Sequence, residues 1–308
     1  MSKPRYVQPG TTYIIQRRTS ERRFFLLPTK STNEIFMYCL AYAANRHRML
    51  IHEFVMMSNH YHLVATDTEG RLPAFMRDFG SLVARAVNAT LGRWENFWST
   101  EAYCAPALLD SESVIEKSAY VLANPVDAGL VDAPEKWEGP TSANLNYGDV
   151  VRIPCPADMF RTKPDKTGQG AEAKRRTTLP EEVTLSLVRP ALSGRLARAD
   201  IRSLIKAQVS ERVKSIKNTF KQAKRSFMGA AKVLRQSWNA SPRTHANRRC
   251  LRPTFASRDK WRRMARVQVR EVFLRSHAEA LEKLRQVTNQ IQFPMGAYRV
   301  VAEGFVQA

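Results

Sequence analysis

The chain has 308 residues, long enough for two domains that each bury a core. With 44% hydrophobic and 25% charged residues it reads as a soluble globular protein, and a net charge of +21 points to a polyanionic partner. The cysteines at 39, 104, 155 and 250 form no close pair, which argues against a cysteine zinc site or a disulfide framework.

The excess charge is not spread evenly. Residues 1–150 hold 15 Lys/Arg against 16 Asp/Glu, a balance of −1, whereas residues 151–308 hold 34 against 12, or +22. The N-terminus lacks an apolar signal core, and the longest apolar run, Ile35 to Ala44, is too short to span a bilayer. We therefore expect a cytoplasmic, nucleoid-associated protein with no membrane partner.

In chain order, Thr11 to Arg17 is a β-rich stretch, and Thr19-Ser20-Glu21 suits a turn. Phe24 to Leu27 reads as the return strand, stopped by Pro28. Thr29 to Met49 reads as a helix whose buried stripe is Ile35, Phe36, Cys39, Leu40 and Ala43. Leu50 to Met57 and His60 to Thr66 are expected strands around a tight Ser58-Asn59 junction. Leu72 to Leu91 is a second helix, with Phe75, Phe79, Leu82, Val83 and Ala86 inward. Trp94 to Leu109 reads as a loop and a further strand.

Within the second of the paired strands, His60 and His62 stand two apart. Alternation along a strand sends both imidazoles to one face, where they can grip a single divalent ion, and sends Tyr61 to the other. A bare His-x-His is more often a pair of structural histidines than a metal site.

A helix should start at Ser113, where Ser113 and Glu116 have capping-box spacing. Pro125 disfavours helical geometry at Asn124 and predicts that the helix ends there. Around its axis Val114, Ile115, Ala119, Val121 and Leu122 share an apolar side. Glu116, Lys117, Tyr120 and Asn124 share the polar one. Tyr120 thus sits mid-face, with the Asn124 amide one turn on. A tyrosine there is commonly just amphipathic surface; beside a His-x-His strand it becomes a candidate nucleophile.

Together the two stretches carry a resemblance. Met57-Ser58-Asn59-His60-Tyr61-His62-Leu63-Val64 resembles the histidine–hydrophobic–histidine motif of the single-tyrosine HUH transposases. Tyr120-Val121-Leu122-Ala123-Asn124-Pro125-Val126, followed by Ala128-Gly129-Leu130-Val131, resembles the tyrosine helix of one branch, the REP-associated tyrosine transposases. The likeness covers roughly residues 5 to 140. Tyr61 at the central position departs mildly from the usual bulky apolar residue. The resemblance implies an α+β, ferredoxin-like fold: an antiparallel sheet with packed helices, bearing both histidines, and the tyrosine on a helix against it. It implies a catalytic Tyr120 and a metal held by His60, His62 and Asn124. It also implies single-stranded, hairpin-forming DNA as substrate, joined covalently to the tyrosine through its 5′ end. Two imidazoles alone suggest zinc, nickel or copper on ligand softness; the resemblance implies Mg²⁺ or Mn²⁺. It leaves monomer and homodimer both open.

Beyond residue 150 the sequence reads differently. Residues 1–150 are taken as the catalytic domain and 151–179 as a linker, with Lys163 to Leu179 rich in Pro, Gly and charge. Residues 180–308 are taken as a basic, mainly helical, DNA-engaging region. Arg198 to Phe227 is expected as one helix, with Ile201, Leu204, Ile205, Val209, Val213 and Ile216 as its apolar face. Lys214, Lys217, Lys221, Lys224 and Arg225 on it, and Arg248, Arg249 and Arg252 in the following loop, are candidate nucleic-acid contacts. Lys260 to Asn289 is a further helix with Trp261 and Phe273 inward, and Gln292 to Val301 suits a closing strand. The expected function is that of a metal-dependent transposase, cutting and joining DNA through a phosphotyrosine. The alternatives are a non-catalytic nucleic-acid-binding protein on the same scaffold and a hydrolytic nuclease in which Tyr120 has no duty.

Overall fold

The computed structural model describes residues 4–157, 159, 160, 179–194, 196, 199–243, 253–286 and 292–298. The chain runs β1 (Thr11–Arg18), α1 (Lys30–Arg46), β2 (Met49–Met57), β3 (His60–Asp67), α2 (Leu72–Leu91), β4 (Ala107–Leu108), α3 (Ser111–Asp127), β5 (Val150–Pro154), β6 (Glu182–Ser186), α4 (Ile201–Gln222), α5 (Ala230–Leu234), β7 (Phe255–Ala256) and α6 (Lys260–Gln286). The expected α+β class holds. Five strands form one sheet in the order β2-β3-β1-β4-β7, antiparallel except for the last pair.

Alternation divides the sheet's residues between two faces. On one, Ile15, Phe54, Met56, Tyr61, Leu63 and Ala65 are buried in the main core, which α1 and α2 complete. On the other, Ile14, Val55, Met57 and Val64 pack with Val114, Val121 and Val126 of α3. Register fixes this division, since a slip of one residue would exchange the faces. β1 pairs with β3 from Thr11↔Asp67 to Arg18↔His60, and β2 with β3 from Met49↔Asp67 to Met57↔His60. The Asp67 carboxylate closes the arrangement by accepting from the backbone N–H groups of Arg71 and Leu72, at 2.8 and 2.7 Å, where α2 begins.

Three local expectations are corrected. Phe24 to Leu27 is not a strand: it turns back toward the hairpin, Phe25 and Leu26 bury in the core, and the Leu26 N–H donates to Ser58 O. The place beside β1 is taken by β3. Trp261 is exposed on α6, which packs instead through Phe273 and Ala280 against Phe293 and Tyr6. Leu204 also lies outside the seam of α4, which buries Ile201, Ile205 and Val209 against Ile115, Ala119 and Leu122 of α3.

Elements after residue 150 share cores with those before it. β5 and β6 pair antiparallel from Val150↔Ser186 to Pro154↔Glu182, and Ile153, Val183, Leu185 and Leu187 join the main core. The intervening residues 161–178 lie outside those described. Arg202 of α4 reaches the fully buried Glu53 of β2, with Nη1 2.6 Å from Oε1. Tyr147 and Ser142 donate to the same carboxylate, at 2.7 and 2.5 Å. Among the described residues no helix is long and apolar enough to cross a membrane.

Candidate active site

His60 and His62 project together from the α3 face of β3, with ring centroids 4.9 Å apart and planes at 86°. A side-chain chain of bonds sets the tautomer of His60. Glu21 and Arg22, both at positive φ, turn the backbone so that Arg22 O accepts from Asn59 Nδ2 at 3.1 Å. Asn59 Oδ1 then faces His60 Nδ1 at 2.6 Å and can only accept. The proton is therefore on Nδ1, and His60 Nε2 keeps its lone pair.

Burial pushes His60 down to about 4, with the Arg18 and Arg22 charges adding and the Asn124 hydrogen bond opposing. Burial, then His60 and Arg18, holds His62 well below its ordinary value. Both imidazoles are neutral at pH 7, the form that binds a metal.

Asn124 stands on α3 with its amide nitrogen 3.4 Å from His62 Nε2. The helix does not stop there as Pro125 had suggested. Asp110, not Ser113, is the N-cap: its carboxylate accepts from Ser113 N at 2.7 Å. At the other end α3 runs through Pro125 to Asp127. Proline removes one N–H from the ladder, yet Pro125 and Val126 are buried and hold the last turn in place. Gly129, at φ +72, ends the helix, and Leu130 N returns to Pro125 O. Asn124 is consequently a buried, fully helical residue whose amide meets the histidines, and it caps nothing.

Tyr120 lies one turn before Asn124. Its ring meets His62 edge-on, centroids 5.3 Å apart at 84°. The Arg212 guanidinium of α4 lies 5.2 Å from the ring's centre. Burial and the Asp127 charge raise the phenol above its ordinary value; Asn124, Arg212 and Arg18 pull it back. Tyr61 sits through the sheet, fully buried among Phe36, Phe79 and Trp98, and burial keeps its phenol neutral.

His62 and Tyr120 line a cleft of about 540 Å³. Arg18, Arg22, Lys117, Arg258 and Arg263 also line it, against the acids Glu101 and Glu116, and Phe255 and Ala256 of β7 contribute one wall. Among the described residues no group of three or more His, Cys, Asp or Glu is placed to hold a metal. The donors present are two neutral imidazoles and one amide, whose oxygen reaches the same point on a half-turn of the side chain. His62 Nδ1 is buried without a hydrogen-bond partner. That set suits an open divalent site with positions left for substrate oxygens.

The structure thus brings Tyr120, His60, His62 and Asn124 together. Lys214, Lys217, Lys221, Lys224 and Arg225 are exposed on or just after α4 and do not line the cleft. Arg248, Arg249 and Arg252 lie outside the described residues. Sequence reading missed Arg18, Arg212 and Arg258. Arg18 depends on the β1–β3 pairing, which sets it opposite His60, and Arg212 and Arg258 depend on long-range packing.

No protein-family model and no curated protein matches this chain. Among solved structures, the chain is similar to a REP-associated tyrosine transposase bound to a REP hairpin. The identity is 16% and the TM-score 0.40, over 47% of this chain and 83% of that one. It is also similar to a crystal structure of a protein from Deinococcus radiodurans R1 assigned as a transposase, at 17% identity and TM-score 0.29, over 39% and 95% of the two chains.

Proposed function

We propose that this chain is a transposase-like DNA strand transferase, acting on single-stranded, hairpin-forming DNA with Tyr120 as nucleophile and a divalent ion, Mg²⁺ or Mn²⁺, at His60, His62 and Asn124. One observation carries the reading. Two motifs about 60 residues apart meet on one face of the sheet, with the Tyr120 and His62 rings 5.3 Å apart, at a cleft lined by cations.

In the forward step Tyr120 Oη attacks a backbone phosphorus. The Oη–P bond forms as the P–O3′ bond breaks, leaving a 5′-phosphotyrosine and a free 3′-hydroxyl. The phenolic proton passes to water, and the departing oxygen takes one from water. Bound at the site, a divalent ion supplies Lewis-acid polarisation of the phosphoryl oxygen. The phosphotyrosine keeps the energy of the bond it replaced, so an incoming 3′-hydroxyl can run the step backward and join strands. The protein's own part is placement: His62 and Arg212 pack on the Tyr120 ring, and the sheet holds the histidines rigid.

The test is a denaturing gel of full-length protein with end-labelled hairpin DNA and Mg²⁺ or Mn²⁺. A labelled band at the protein's mass is expected, absent in EDTA and in Tyr120→Phe but retained in Tyr61→Phe. Strand cleavage that persists in Tyr120→Phe would assign the attack to water and overturn the proposal.

A further inference from the structure

Two acids flank Tyr120 on its own helix face: Glu116 one turn before and Asp127 two turns after. Unpaired, both would repel a phosphate approaching the hydroxyl between them. Lys117 already pairs with Glu116 at 2.9 Å, and the second half of the chain adds a cation to each acid. Arg258 Nε donates to Glu116 at 3.0 Å, and Arg212 Nη2 donates to Asp127 at 2.7 Å.

Arg212 also lies over the Tyr120 ring, and its Nε is buried with no hydrogen-bond partner. A guanidinium carries five donors and accepts nothing. A buried cationic N–H left unpaired is unfavourable until an anion completes it. The position of α4 is fixed independently. Arg202 anchors its start on Glu53, and Ile201, Ile205 and Val209 hold it against α3.

We propose that Arg212 is a phosphate-binding residue of the Tyr120 site, so that the second half of the chain completes that site in cis. The ligand is a phosphodiester of a single nucleic-acid strand that leaves the cleft across the Tyr120 ring, where Arg212, which does not itself line the cleft, lies. Arg212 keeps one donor on Asp127 and turns others of its fork to the phosphate, which thereby sits beside the phenol. This rests on reading the cleft as a phosphodiester site, and its test is separate from the chemistry.

The measurement is fluorescence anisotropy of a fluorescein-labelled ten-residue oligothymidylate with the full-length chain, in EDTA, across a salt series. Arg212→Gln should bind about five- to tenfold more weakly, with a salt slope shallower by about 0.7, the share of one phosphate contact on a single strand. Lys30→Gln, on an exposed α1 side chain across the sheet, removes the same charge and should bind like the wild type. The double variant Arg212→Gln/Asp127→Asn should stay weak, since deleting the acid supplies no donor. Arg212→Lys, which keeps the charge and guards against misfolding of the glutamine variant, should keep the slope but lose about threefold in affinity with the fork.

Wild-type affinity in Arg212→Gln or Arg212→Lys would overturn the proposal. So would full recovery in the double variant, which would leave Arg212 merely masking Asp127. A wild-type chain that does not bind the oligonucleotide would overturn it too. No strand is cut in EDTA, so a missing covalent adduct would sink the transferase reading and leave this one to its own result.

Discussion

Replacing Arg202 with methionine strands a carboxylate in the protein interior. Glu53 is fully buried on β2, and its partners are Arg202, Tyr147 and Ser142. The substitution leaves a charge facing two neutral hydroxyls, and it frees the carbonyls of Ser142 and Leu145 that Arg202 also holds. Removing one partner of such a pair costs about 3–5 kcal/mol. At roughly 2.1 cal/mol/K of unfolding entropy per residue, a chain of this length should melt about 5–8 °C lower.

The pH dependence gives that loss a signature. Burial already raises the Glu53 carboxyl, with Arg202 foremost in pulling it back. Without Arg202 it rises further. A carboxyl whose folded value exceeds its unfolded one stabilises the fold at low pH, and that contribution is lost as pH climbs through the folded value. The deficit of Arg202→Met should therefore be larger at pH 8 than at pH 5, read by circular-dichroism melts of both proteins. Glu53→Gln/Arg202→Met should recover most of it. A single variant melting within about 1 °C of wild type, or a deficit that shrinks as pH rises, would refute the reasoning.

Other outcomes follow from the same geometry. Gly129→Ala puts a Cβ at positive φ, 2.9 Å from the Phe220 ring, and should destabilise the chain by about 2–4 kcal/mol in chemical denaturation. Asp110→Ala removes the N-cap of α3 and should cost about 1 kcal/mol in the same experiment. His60→Ala/His62→Ala should abolish the metal-dependent adduct on gels while the oligonucleotide still binds in EDTA. Neutralising Lys214, Lys217 and Lys221 together should weaken binding alike for hairpin and unstructured strands and flatten the salt slope by about 2, because these side chains are exposed outside the cleft; a loss confined to hairpins would contradict this.

Sequence reading succeeded where one physical signal dominated. The stripes of α1 and α2 and the alternation of β2 and β3 come from burial on one defined face, and all ten stripe residues predicted for the two helices are buried. It failed where two signals competed. The apolar run at Phe24 looks like a strand because a buried turn and a buried strand need the same side chains. Pro125 looks like a stop because its local penalty is visible, whereas the burial that offsets it comes from distant segments. β5 fell within the expected linker and β6 within the expected helical region, although Glu182 to Ser186 alternates exposed and buried. At the site, His60, His62, Tyr120 and Asn124 are legible because each pair lies within five residues of one element. Arg212 is 92 positions from Tyr120, and only the packing of α4 on α3 unites them.

The pairing of β4 with β7 has a consequence in time. It joins Ala107 to Phe255 and Leu108 to Ala256, so β4's outer edge waits for its partner while nearly 150 further residues are made. At about 5–20 residues per second that interval is roughly 7–30 s. For most of it the emerging polypeptide carries the Tyr120 helix without the β7 wall or Arg258, and with an unpaired strand edge open to wrong partners. A half-made chain on the ribosome therefore holds Tyr120 in an unfinished groove, whose last wall arrives only as synthesis nears its end.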